Sequence, residues 1–301
     1  MIAPLLIHSI AKRADEWRAI RILADRAEPR VRAQILKAIK NLKGSVNMAA
    51  FRRALSEGDT RGSFDIIPWE KLDEMKAPVT AELRKLLEAS YAAAIKYLPK
   101  EASALRFDVT NQRAVDWLRE NSARLVTEVG EGTKQAVRNI IDRSFNEGIP
   151  PVKAARMLKD IIGLTSRQAD ALENYRDMLL GEKRELDQVE RMTARYANRQ
   201  LNYRTRNIAR TETINASSAG QQLLWEDALG SGELTDARTR KVWIITPDSR
   251  LCPLCAKIPG MNPKGVRIKE FFNTPVGPIL HPTVHNQCRC AVGVKIVAEA
   301  A

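Results

Sequence analysis

Every cysteine of the chain, and two of its three histidines, lie in one short stretch: Cys252, Cys255, His281, His285, Cys288 and Cys290. The spacing is Cys252-x2-Cys255, then 29 residues, then His285-x2-Cys288-x-Cys290. Thiolates and an imidazole so arranged are the donor set of a tetrahedral Zn(II) site. Five residues, Cys252, Cys255, His285, Cys288 and Cys290, compete for four places. Side chains alternate along a strand, which disfavours Cys288 and Cys290 binding one ion. Four protein ligands close the coordination shell, so such a zinc is structural and staples a unit too small to build its own core. Two plainer readings stand beside it. The thiols are reduced and buried as small hydrophobes, or they pair as disulfides in an oxidising medium.

Residues 191–211 hold six arginines and no Lys, Asp or Glu. On an α-helix Arg191, Arg195, Arg199, Arg206 and Arg210 share a sector of about 100°, while Arg204 points elsewhere. A row of guanidiniums suits phosphate oxygens or an acidic partner, without base specificity. The bland reading is a solvated face, or one neutralised by carboxylates from elsewhere in the fold.

Catalytic constellations are thin. The chain lacks G-x-x-x-x-G-K-[ST], G-x-S-x-G, G-x-G-x-x-G and H-E-x-x-H. His281, Asp248 and Glu212 are the nearest supply of acid–base groups. Asp248 reads equally well as the residue of a Pro247-Asp248-Ser249 turn, and Glu212 as an ion-pair partner on a helix. An enzyme is not expected. The competing class is a metal-dependent nuclease or toxin, which needs an open, water-bearing metal position.

The elements that must carry these groups are mostly helices. Helix is expected over 14–42, from near Trp69 to Tyr97 with a stop at Pro99, and over 111–147. In the last of these Leu118, Leu125, Val129, Ala136 and Ile140 form a bundle-type stripe. Glu57–Ser63, rich in Gly and polar residues, reads as a loop. Gly148 ends one helix, Pro150-Pro151 starts another that stops at Gly163, and Thr165 with Gln168 forms a capping box. A helical tract over 166–229, broken near Gly181, follows. Past Gly230-Ser231-Gly232, strands are expected at Lys241–Thr246 and Ala291–Val297, separated by turn-rich sequence such as Pro259-Gly260. The expected fold is therefore mainly α: an elongated helical N-terminal body over 1–200, then a small α+β C-terminal module over 201–301 bearing the Cys/His cluster.

Composition agrees. Lys plus Arg number 49 against 36 for Asp plus Glu, a net +13. Residues 201–301 carry 13 basic and 8 acidic side chains, so the excess is spread along the chain. That favours a polyanionic partner, commonly nucleic acid. No apolar run approaches the roughly 20 residues of a membrane span, and Met1–His8 is too short and lacks the basic lead of a secretory signal. A protein of cytoplasmic origin, with no membrane partner, is expected.

Several segments together resemble the phage head morphogenesis family of the phage Mu F type, the minor head proteins. Ile208-Ala209-Arg210-Thr211-Glu212-Thr213 is similar to its "IARTET" helix, and Gly220-Gln221 with Trp225 to its small-residue helix. Trp243–Arg250 is similar to its "W-x-T-x-x-D-x-R" strand and turn. Cys252–Cys255 and His285–Cys290 are similar to its "C-x-x-C" and "H-P-N-C-R-C". Upstream, Gly148-Ile149-Pro150 and Gly163–Ala169 resemble two further segments. The likeness spans about 145–297, roughly half the chain, and departs at Asn286-Gln287, where the family has Pro-Asn. It implies a virion component of the head, assembled in the host cytoplasm. Such a protein associates with the portal protein, and with the major capsid or scaffolding protein. It acts in head assembly and in packaging or delivery of double-stranded DNA. The N-terminal helices would then dock on portal or capsid.

Overall fold

In the computed structural model, Leu118, Leu125, Val129, Ala136 and Ile140 are all buried along one helix, α5 (Gln112–Asn146). Their spacing brings them to one face, and Gly130 and Gly132 do not interrupt the helix. The described residues are 4–98, 104–108, 110–246 and 248–297, with the side chains of 4–14 excluded. The expected helix stop at Pro99 and the turn position Pro247 lie outside them.

Helices dominate: α1 (Pro4–Ser45), α2 (Met48–Ser56), α3 (Thr60–Asp65), α4 (Lys76–Ile95), α5, α6 (Pro151–Ile161), α7 (Ser166–Gly181), α8 (Leu186–Gly230) and α9 (Pro253–Met261), with a 3₁₀ helix at Trp69–Met75. A two-stranded antiparallel sheet, β1 (Thr239–Ile244) and β2 (Ala291–Ile296), completes the fold, with Thr239 opposite Ile296 and Ile244 opposite Ala291. The mainly α architecture with a small C-terminal α+β part is as the sequence leads one to expect. No helix among the described residues is long and apolar enough to cross a membrane.

Local signals set most boundaries. Gly148 adopts φ +64° and ends α5, with the Ile149 amide donating to the Ser144 carbonyl. Gly163, at φ +93°, ends α6. A side chain there would also strike Ile39 Cγ2 at 2.6 Å. Thr165 and Gln168 form the capping box of α7, and the chain breaks between Gly181 and Leu186. Two expectations fail. Within the presumed loop 57–63, Asp59 accepts from the Gly62 amide and caps α3, because a short carboxylate satisfies the free amides of a first turn. The turn-rich stretch around Pro259-Gly260 is helical, as α9.

The chain condenses into two compact units that are interleaved in sequence. One contains 1–31, 80–118 and 207–301; the other contains 32–79 and 119–206. Helix α8 passes from one unit to the other between 206 and 207. The N-terminal segments 1–31 and 80–118, however, group with the C-terminal part. The first unit buries Leu83, Leu87, Tyr91, Trp225, Ile258, Phe272 and Val292; the second buries Ile35, Ile39, Leu42, Leu72, Val129 and Leu158.

Candidate functional site

Because β1 and β2 are antiparallel, the end of β1 and the start of β2 lie side by side, and each delivers part of the Cys/His group to the same place. Beyond β1, the Thr246 hydroxyl donates to the Arg289 carbonyl at 3.0 Å. Asp248 then receives both terminal nitrogens of Arg289, and the Arg250 amide at 2.9 Å. The Arg289 guanidinium, seconded by Arg250, holds the Asp248 carboxyl well below the usual carboxylate range.

Cys252 caps α9: the Cys255 amide donates to its sulfur at 3.3 Å, and Pro253 occupies the first turn, where its missing N–H costs nothing. The C-x2-C pair is thus a helix entry, which aims both sulfurs the same way. From the other side, Gln287 takes a left-handed backbone, φ +63°, and its amide donates to the Thr211 hydroxyl at 3.0 Å. That turn removes the strand alternation expected at Cys288-x-Cys290. The sulfurs of Cys255, Cys288 and Cys290 lie within 4.8 Å of one another, and so do the donor atoms of Cys252, Cys255 and His285. The expectation that Cys288 and Cys290 face apart is therefore corrected, since 288–290 precede β2 and are not strand. All five residues cluster closely enough to hold a metal ion, with Cys255 common to both triads.

The donor types suit a thiophilic cation, and one sulfur pair already has the spacing such an ion requires. His285 Nδ1 faces the Asn286 carbonyl at 2.7 Å, which assigns the proton to that nitrogen. Nε2 is left facing Cys252 Sγ at 3.0 Å and Cys255 Sγ at 3.1 Å. Cys255 and Cys288 Sγ are 3.9 Å apart, and zinc–sulfur bonds of about 2.3 Å at a tetrahedral angle require about 3.8 Å. The thiol of Cys290 hydrogen-bonds to Cys288, and this drives Cys288 down to about 5 and Cys290 up. Burial pushes Cys255 up to about 12. Burial also opposes ionisation of Cys252, but the amide and sulfur of Cys255, with His285, outweigh it and lower its pKa. All four cysteines are free thiols.

His281 stands apart from both triads. Its Nδ1 faces the Pro282 carbonyl at 2.8 Å, and burial, with nearby Lys241, holds its pKa down to about 4. Glu212 is buried within α8.

Four of the five stripe arginines, Arg191, Arg195, Arg199 and Arg206, are exposed on α8. The guanidinium of Arg199 lies 5.5 Å from the Tyr196 ring, which stacks on Tyr175 at 4.8 Å. Arg210 is half-buried, among Arg21, Asp25, Glu28 and Arg289, and burial pulls its pKa down. Arg204, expected off the face, is buried. It donates to the Gly163 carbonyl at 2.6 Å, the Val129 carbonyl at 3.2 Å and the Thr133 hydroxyl at 3.3 Å.

Lys241 and Glu16 are among the buried ionisable groups that the sequence reading did not pick out. Lys241 is fully enclosed; its Nζ donates to the Leu280 carbonyl at 2.7 Å and to Gln222 Oε1 at 3.2 Å, and burial pulls its pKa to about 7. The signal was its parity with Trp243 in β1, the inward-facing set. Glu16 accepts from Gln221 Nε2 at 2.8 Å, and burial raises it to about 7. Its signal was its place on the stripe of Ile20, Ala24, Ala27 and Val31. Comparison of the chain with protein-family models, with curated proteins and with solved structures returns no match.

Proposed function

We propose that this chain is a minor head protein of a tailed bacteriophage, located at the portal vertex of the virion, that acts in capsid assembly and in DNA packaging or delivery. The observation that carries the reading is the convergence of the resembling segments. Thr211, Asp248, the Cys252–Cys255 pair, His285, Gln287 and Arg289 are dispersed over 79 residues of sequence, yet bond to one another around one centre. Gly220 and Gln221, from the same set of segments, serve packing. A side chain at Gly220 would meet the Leu87 carbonyl oxygen at 2.4 Å, and Gln221 holds Glu16.

The role is structural and not catalytic. Asp248 is committed to Arg289 and Arg250, and His281 lies outside both triads. Zn(II) suits the soft donor set, with Cys252, Cys255, His285 and Cys288 as ligands and Cys290 donating to the Cys288 sulfur. A bound zinc would cross-link the α9 entry to the turn before β2. The exposed arginines of α8 would meet double-stranded DNA without sequence preference, and the portal protein, with capsid or scaffolding protein, would be the protein partner.

Quantitative mass spectrometry of purified procapsids and virions, counting this chain against portal and major capsid protein, tests the reading. A low, fixed ratio to portal supports it. Absence from both particles overturns it and makes a nuclease assay on the full chain the next step.

A further inference from the structure

A cleft of about 390 Å³ opens within the second unit, between α6, the end of α7 and the start of α8. Its apolar lining includes Leu180, Leu186, Val189 and Ala194. Leu186, the first residue of α8, is 66% exposed at its lip. Leu180 and Ala194 beside it are partly exposed, and Val189 is buried beneath them.

The rim is cationic. Lys153, Arg156, Lys159 and Arg176 face the cleft against Asp160 and Glu190. Both carboxylates are already engaged, Asp160 with Arg176 at 3.1 Å and Glu190 with Arg156 at 2.6 Å. Lys43 adds a further positive charge beside Asp160 and Lys159. Along α8, Asp187 is exposed beside Leu186, and beyond Glu190 the exposed Arg191 and Arg195 restore the positive sign.

We propose that this cleft docks an acidic amphipathic helix of a partner protein. Such a helix presents apolar residues at i, i+3, i+4 and i+7 to an apolar floor and carboxylates to a basic rim. A phosphate backbone matches the rim alone, for it has no apolar face to cover Leu186. The inference rests on the cleft and is independent of the phage reading.

The test is fluorescence anisotropy of the full chain with a labelled peptide of about twenty residues, roughly five helical turns, carrying Leu on one face and Glu on the others. Controls are the same composition scrambled to abolish the face, and a duplex DNA oligonucleotide. The expected result is saturable binding at least about tenfold tighter than the scrambled peptide, reduced at least about tenfold by Leu186→Asp and by Lys159→Glu. Both positions are on the surface of their helices, and unchanged circular dichroism certifies the fold. Equal binding of ordered and scrambled peptides, or no binding, overturns the proposal. So does tighter binding of DNA at this site, sensitive to Lys159→Glu but not to Leu186→Asp, which would make the cleft a phosphate surface.

Discussion

Gly132 and Arg204 are fitted to each other: a methyl group on Gly132 would lie 2.7 Å from Nη2 of Arg204. That guanidinium cannot swing aside cheaply, because two carbonyls and a hydroxyl hold it in a buried position with no carboxylate among those partners. Burial draws its pKa down to about 10, so it remains charged at neutral pH. Gly132→Ala should therefore destabilise by about 1–3 kcal/mol, the usual cost of overpacking. Gly130→Ala meets only Leu72 Cδ1, at 3.7 Å, and should stabilise by roughly 0.5–1 kcal/mol through helix propensity. Urea unfolding of the two variants measures the contrast; equal effects refute the fit.

The proposed zinc site predicts about one zinc per chain purified without chelator, lost on Cys255→Ser, because that sulfur is shared by both triads. Cys290→Ser should retain the ion, since serine can still hydrogen-bond to Cys288. Elemental analysis reads the stoichiometry, and a chelator should lower the melting temperature of the wild type but not of Cys255→Ser. Zinc retained by Cys255→Ser refutes this ligand assignment.

Glu16 gives a pH dependence with a definite sign. Its folded pKa, about 7, lies above the ordinary 4.5, so the folded state holds a proton that the unfolded state releases. Its contribution is fully present below pH 4.5 and is lost as pH rises to about 7, an effect of about 3 kcal/mol at 1.36 kcal/mol per unit. Glu16→Gln keeps a partner for Gln221 and should flatten stability between pH 5 and 7 relative to wild type. Identical pH profiles exclude the role.

Binding of duplex DNA through the four exposed stripe arginines should fall with salt at a log–log slope of about −3.6, at 0.9 per phosphate contact. Changing Arg191, Arg195, Arg199 and Arg206 together to Ala should abolish that slope. A flat response in the wild type removes DNA and leaves an acidic protein as the partner of this face.

Lys241→Met should cost about 2 kcal/mol, because the Leu280 carbonyl and Gln222 Oε1 would lose their buried donor. Thermal unfolding compares it with Arg240→Met, one residue away. An equal loss at Arg240 would mean that the cost belongs to the strand and not to the enclosed ammonium.

Where a feature is local and periodic, it could be read directly. The α5 stripe, the Thr165–Gln168 box and the glycines at 148 and 163 each act within a turn or two of their own chain. The failures share a cause. Asp59 caps α3 inside a stretch whose composition resembles a loop, since one carboxylate outweighs three flexible neighbours. Cys288 and Cys290 were separated by assuming regular strand, whereas the left-handed turn at Gln287 is fixed by Thr211, far away in sequence. Lys241 and Glu16 are charged residues on apolar faces, and only tertiary partners can satisfy them there. Residue spacing reached the donor set of the candidate metal site but not its shared vertex at Cys255.

Glu16 and Gln221, 205 residues apart, belong to one compact unit gathered from three stretches of chain. At about 5–20 residues per second, the ribosome emits Gln221 roughly 10–40 s after Glu16. Throughout that interval Ile20 and Ala24 lack Ile214, Ser217 and Gln221, beside which they lie in the fold. Synthesis therefore leaves an early helix waiting on a late one, and holding chaperones have a defined client segment to shield until the final strand arrives.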